Sequence, residues 1–291
     1  MEKKRKRQKN KNEDDDDMDI DDNEEITMEA GPTSEIINAD FTLSNIVEDN
    51  FQSVRSLMKP LFEFEDINPS DIFDVLLFQH EDVGTTLKLN DEVFGVFSYI
   101  PLSYYKTLKA HNKFIDKFYT YMISKFEKFA KNEEEKKAAL DIIHGKSNLG
   151  LLINERVFNL PEQAIPPSFA QITKEIWECR PFEGYDQRYE FEYLVVVSKF
   201  VKILAKDTKG KKRNLGSDHD DSVAYYNFET PLFLQKAIAS AEYKIPYKEK
   251  NLEYLENPNE PQYINILIIK ASDYFDVLEK KLGIDLKHLM D

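Results

Sequence analysis

Gly150-Leu-Leu-Ile-Asn-Glu-Arg-Val-Phe-Asn-Leu-Pro-Glu-Gln-Ala-Ile-Pro-Pro167 is the stretch from which the rest of the chain can be read. It opens with Leu151, Leu152 and Ile153, an apolar run long enough for a buried strand and too short for a helix. A pair of opposite charges, Glu155 and Arg156, follows directly. Leu160-Pro161 and then Pro166-Pro167 interrupt the pattern, because proline fixes φ and has no N–H. Helical spacing resumes from Ser168 to Cys179. The stretch therefore predicts a core strand, a pinned crossover and a helix packed back on the sheet. Glu155 and Arg156 are expected to form a structural ion pair at the strand end, since charge pairs there ordinarily do no chemistry.

Working outward towards the N-terminus, Asn132-Glu133-Glu134-Glu135 starts a helix, its acids complementing the helix dipole, and Gly145 is placed to end it. Before it, Leu108, Ile115, Phe118, Met122, Phe126 and Phe129 recur with helical spacing and predict one long helix with an aromatic stripe facing the core. Gly84–Leu89 and Glu92–Ile100 read as two strands of a hairpin turning at Asn90-Asp91. Asn68-Pro69-Ser70 opens a helix to Gln79, with Ile72, Val75, Leu76 and Gln79 along one side. Phe51, Val54, Leu57 and Met58 mark an earlier helix, and Glu35–Leu43 an opening strand.

Towards the C-terminus, Arg188–Leu204 reads as a long strand, followed by a polar loop and a returning strand at Ser222–Phe228. A short helix is expected over Pro231–Ala241 and a strand over Tyr243–Tyr247. Ile264–Ile269 is a buried strand, and Ser272–Leu282 a closing helix ending at Gly283. This order predicts an α/β (α+β) domain over residues 34–291, a mixed sheet covered by helices. The same closing helix spaces Phe275, Leu278, Leu282 and Ile284 like a leucine-rich export signal, but packing demands the same spacing, and a core role is expected.

The net charge of −15 argues against a chain whose main work is gripping nucleic acid. A single cysteine, Cys179, excludes an internal disulfide and is expected to be a small buried apolar group. No apolar run approaches the roughly 18 residues that cross a bilayer. Met1 is followed by basic residues without an apolar segment, so no signal peptide is expected and the chain reads as intracellular. Residues 1–33 form a tail expected to be disordered. Lys3, Lys4, Arg5, Lys6 and Arg7 make a basic block of the kind importins read, and acids from Glu13 to Glu29 follow it.

Tests for chemistry fail one after another. Gly145-Lys146-Ser147 resembles the end of a phosphate-binding loop, but Leu140 stands where its first glycine is needed. Leu149 stands where a nucleophile elbow around Ser147 needs glycine. The histidines show no metal-ligand spacing, and Asp218-His219-Asp220-Asp221 reads as a solvated acidic loop. No catalytic, cofactor or metal residue is therefore assigned.

Leu151 to Pro161, followed by Ile165-Pro166-Pro167, resembles the signature of the BCCIP/Bcp family of eukaryotic nuclear proteins. The residues carrying the resemblance are Gly150, Leu151, Leu152, Asn154, Glu155, Arg156, Asn159, Leu160, Pro161, Pro166 and Pro167. Segments at Ile37–Phe41, Tyr193–Val197 and Ile264–Ile269 fit as well, so the likeness spans nearly everything beyond the tail. It implies a modified GNAT (acetyltransferase-like) fold without acetyltransferase activity. An active enzyme of that fold cradles a pyrophosphate on a Gln/Arg-x-x-Gly-x-Gly/Ala loop. None of the nine glycines here has Gly or Ala two positions later. The resemblance further implies a monomeric escort for a basic large-subunit ribosomal protein of the universal L-fourteen type, supporting 60S ribosome biogenesis and entering the nucleus with an importin. It also implies a part in nuclear export of a phosphatidylinositol phosphate kinase, or the cell-cycle and genome-maintenance roles of animal relatives.

Overall fold

In the computed structural model, Leu149–Arg156 is a strand (β4), buried along almost its whole length. The structure describes residues 40–108, 112–158, 160–179, 187–202, 223–246 and 261–289. Alternation sends Leu151 and Ile153 to one side of the sheet and Leu152 to the other, into two separate apolar clusters. A strand covered on both faces must read as an unbroken apolar run, which is what marks it in the sequence. Gly150 is required there: a Cβ would come within 2.6 Å of the Phe191 ring.

The strands before it are β1 (Phe41–Asn45), β2 (Thr85–Leu89) and β3 (Glu92–Ile100). The β2–β3 hairpin turns where expected, with Asn90 and Asp91 at positive φ (50° and 66°), as a two-residue turn requires. After β4 come β5 (Tyr193–Lys202), β6 (Val223–Tyr225), β7 (Ala237–Lys244) and β8 (Gln262–Lys270). The sheet runs β1-β2-β3-β4-β5-β8-β7, with β6 on β5 outside that path. Among the described strands only β4 and β5 pair in parallel, so the antiparallel pattern changes at the middle of the sheet.

One face is covered by α1 (Phe51–Phe62), α2 (Pro69–Phe78), α3 (Leu102–Leu108), α4 (Asn112–Phe129) and α5 (Glu133–His144). Helices α6 (Ile165–Glu178), α7 (Thr230–Leu234) and α8 (Ala271–Leu282) cover the other. Asn68 and Asn132 cap α2 and α5, accepting from the Ser70 and Glu135 amides at 3.0 and 2.8 Å. Gln79, at the end of α2, faces inward as its spacing implied and becomes a hub. Its Nε2 donates to Val83 O, Ser98 Oγ and Tyr99 O at 3.1, 2.9 and 2.8 Å, and Tyr105 OH donates to its Oε1 at 3.1 Å.

Several expectations need correction. The stripe expected of one long helix runs from the end of α3 along α4, with residues 109–111 between them outside the described residues, and Leu108 and Phe129 lie half exposed rather than in the core. Helix α6 begins at Ile165, so Pro166 and Pro167 sit inside its first turn, where a missing N–H costs nothing, rather than before it. The segment Ala237–Ala241 is strand, not helix; its alanines favour a helix, but pairing with the apolar β8 decides the outcome. Cys179 is only partly buried; its thiol, 3.7 Å from Asp82 O, is pushed up to about 11 by burial. The tail, Leu204 and the loop at 209–221 lie outside the described residues.

Candidate functional site: a polar seam across the sheet

Each of the three central strands is an apolar run broken by one small polar residue: Asn154 in β4, Ser198 in β5 and Asn265 in β8. Register sets Ser198 opposite Asn265, and Asn265 opposite Glu242 of β7. Asn154, two residues beyond Leu152, takes the same face, which α6, α7 and α8 cover. The result is a polar seam crossing four strands at the margin of an otherwise apolar layer.

At the β4 end the seam is locked by a buried ion pair. Arg156 donates from Nη1 and Nη2 to the two carboxylate oxygens of Glu229, each at 2.8 Å, with both side chains almost wholly enclosed. Arg156 Nη1 also reaches Asn154 Oδ1 at 2.7 Å, and Asn154 Nδ2 donates to Glu229 Oε1. The guanidinium lies 5.8 Å from the Phe228 ring centre. Fork-to-fork geometry with added hydrogen bonds, here from and to Asn154, is the condition under which a buried pair can offset its desolvation.

The predicted partner of Arg156 was Glu155, and this is overturned. Successive strand residues point to opposite faces, so Arg156 turns to the α7 side and Glu155 to the other. Glu155 is 6% exposed, and among the described residues no ion pair includes it. Burial raises its carboxyl to about 7, against the opposing pull of Lys199 and Arg156. Glu229 was missed altogether. Its distance along the chain hides it, and it makes no side-chain cap at the start of α7 that a local pattern would reveal.

The crevice where parallel strands part at their carboxyl ends is the usual ligand site of an open α/β sheet. Here β4 and β5 pair only from Leu149/Tyr193 to Leu152/Val196 and then diverge. The chain itself fills the gap. Strand β6 pairs with β5 at Phe200–Lys202, Tyr226 N donates to Lys199 O at 3.1 Å, and Asn227 Nδ2 donates to Asn154 O at 3.2 Å. Glu229 then reaches the β4 side chains.

The start of α6 is equally closed to an anion. The Ile165 amide already donates to Glu162 O, and Pro166 and Pro167 have none. Pro161 caps the short turn Glu162–Ala164, and Leu160 packs partly buried against the α6 cluster. Asn159 lies outside the described residues, as do Lys3, Lys4, Arg5, Lys6 and Arg7. Among the described residues no group of three His, Cys, Asp or Glu side chains is arranged to hold a metal, and no helix is long and apolar enough to cross a membrane. The other buried carboxylate on this face, Glu175 of α6, is occupied by the Gly84 amide at 2.9 Å, Thr85 Oγ1 at 2.6 Å and Gln171 Nε2 at 2.9 Å.

At the other end the seam is incomplete. Ser198 Oγ and Asn265 Oδ1 are buried without a hydrogen-bond partner. Among the described residues these are the side-chain polar atoms of the sheet left unsatisfied.

Comparisons with known proteins agree with the signature in β4. Protein bcp1 of Schizosaccharomyces pombe is 26% identical over 231 residues, covering 75% of this chain and 78% of its own. The BRCA2 and CDKN1A-interacting protein of Bos taurus is 23% identical over 226 residues, covering 73% and 70%. The crystal structure of BCP1 from Saccharomyces cerevisiae superposes with a TM-score of 0.56 over 90% of this chain and 96% of that one; at 15% identity this speaks for the fold alone. The BCCIP family model matches residues 36–233, which takes in Asn154, Arg156, Ser198 and Glu229 and stops before Glu242 and Asn265. By that match over more than half its length, the chain belongs to the BCCIP family.

Proposed function

We propose that this chain is a non-enzymatic nuclear binding protein that escorts a basic large-subunit ribosomal protein, of the universal L-fourteen type, in support of 60S ribosome biogenesis. The observation that carries the non-enzymatic part is the crevice between β4 and β5, occupied by the chain's own Asn227 and Glu229. A degenerate acetyltransferase reading would need that crevice, and the closed start of α6, for its cofactor. The divergence of β4 from β5 supports the GNAT-like expectation for the core, and its filling supports a scaffold that has kept the shape and lost the ligand.

Charge supports a cationic partner. Residues 1–30 hold 7 basic and 12 acidic side chains, leaving 32 basic against 42 acidic in the remainder, so the acidity is not confined to the tail. An acidic body draws a Lys/Arg-rich partner and keeps it from premature contact with RNA. Nuclear entry by importin through Lys3–Arg7 and export of a phosphatidylinositol phosphate kinase belong to the same proposal. The printed name of the bovine relative, which refers to BRCA2 and CDKN1A, favours a second reading as a cell-cycle interaction protein.

Co-expression of the basic ribosomal protein with the full chain tests the first reading, beside an unrelated protein of equal net charge. The expected result is a soluble complex with this chain alone, its association weakening as salt rises. Equal solubility with the unrelated polyanion would overturn a dedicated escort. Affinity capture from nuclear extract, read by mass spectrometry, separates the two readings.

A further inference from the structure

The incomplete end of the seam opens into a groove of about 410 Å³ along the edge strand β7. Asn265 and Glu242 line it from the sheet, Phe129 from the end of α4, Lys131 from the connection, Glu135 from the start of α5 and Leu234 from α7. We propose that this groove receives an arginine side chain of a basic partner, with the guanidinium at Asn265 and Glu242 and the stem against Phe129 and Leu234. The inference rests on the escort reading, and names where on the chain a cationic residue is held.

The polar group in want of a partner is an acceptor. Asn265 is 3% exposed and its Oδ1 has no donor, which is destabilising for a buried polar atom. Its amide torsion is broad and roughly two-fold, so a half-turn exchanges the places of Oδ1 and Nδ2. The charged side chains lining the groove are the carboxylates of Glu135 and Glu242 and the ammonium of Lys131, with the Lys202 ammonium paired to Glu242 at its margin. Both carboxylates are held in place. Glu135 Oε2 accepts from Ser240 N at 2.8 Å and Ser240 Oγ at 3.0 Å, and Lys202 donates to one oxygen of Glu242. Phe129, 41% exposed, offers an aromatic wall to a planar cation. Arginine combines an apolar stem with a donor fork that can serve Asn265 and Glu242 together. The competing account is a water molecule bridging Asn265 and Ser198, with no ligand at all.

The probe is a fluorescein-labelled peptide of alternating glycine and arginine, with a citrulline counterpart of the same shape and no charge, titrated against the full chain by anisotropy. Asn265→Leu and Glu242→Gln are expected to weaken the arginine peptide by about tenfold or more, the loss of one good charge-assisted bond. Lys131→Ala should tighten it. Glu48→Gln, an exposed acid near the opposite edge of the sheet, should change nothing. Asn265→Leu should also unfold at the same or a higher temperature than the wild type, because it removes an unsatisfied buried group. Glu242 is half exposed and cannot be essential for folding through burial, so its variant keeps the test open if Asn265→Leu is poorly folded.

Unchanged binding by Asn265→Leu and Glu242→Gln, equal binding of the citrulline peptide, or an equal effect of Glu48→Gln would each overturn the groove. Capture of the whole basic partner equally by wild type and Asn265→Leu would overturn it too while leaving the escort function standing. Capture by neither would remove the escort function itself.

Discussion

Glu155 and Arg156 are neighbours in the chain that strand geometry sends to opposite faces of one sheet, and their energetics diverge accordingly. Replacing Arg156 with alanine strands Glu229 as a buried, unpaired carboxylate, with an expected loss of about 3–5 kcal/mol in urea unfolding. Arg156→Met combined with Glu229→Met should recover most of that loss, because neither charge is then left behind. Glu155 behaves in the contrary way. Its folded-state value of about 7 lies above the ordinary 4.5, so between those values the native state holds a proton that the unfolded state has released. Stability from this residue is therefore present below pH 4.5 and is lost as pH rises through 7, by something on the order of 3 kcal/mol. Glu155→Gln should match the wild type at pH 4.5 and exceed it at pH 7.5; equal stabilities at both would mean the carboxyl is ionised and satisfied. At this scale the sequence was half legible. Asn154, Ser198 and Asn265 are visible as lone polar residues inside apolar runs, but Glu229, which bonds Asn154, and Glu242, which lies opposite Asn265, are remote in the chain and carry no pattern of their own.

Elements were legible where one local signal dominated. The asparagine caps of α2 and α5, the Asn-Asp turn and Gly283 at positive φ after α8 all stood where chemistry required them. They failed where tertiary pairing outweighed propensity. The alanines of β7 accept a strand because β8 needs a partner, and the α4–α5 connection then closes that edge, with Lys131 N donating to Ser240 O at 3.2 Å. In α8 the two readings of Phe275, Leu278, Leu282 and Ile284 can now be weighed, since Leu278 is fully buried and Ile284 nearly so. Leu278→Ala should therefore cost about 2–5 kcal/mol in thermal or urea unfolding, as a core truncation does. A variant of unchanged stability that accumulated in the nucleus would restore the export signal.

For the whole molecule, the family assignment and the mixed α/β sheet could be anticipated from β4 and its flanks, while the strand order could not, because it depends on which segments meet after long excursions. The tail makes a prediction of its own. Alanine at Lys3, Lys4, Arg5, Lys6 and Arg7 should abolish nuclear accumulation of a fluorescent fusion, measured by imaging, and unchanged accumulation would count against an import signal there. The sheet order has one more consequence, for the ribosome that makes this chain. Strand β8, the last to be synthesised, is inserted between β5 and β7 and pairs with both. Until Gln262–Lys270 has left the exit tunnel, β5 keeps an open edge and β7 has no sheet to join. A nascent chain that has released β5 and β7 but not β8 carries strand edges exposed to neighbouring chains, and only the arrival of β8 between them closes the sheet.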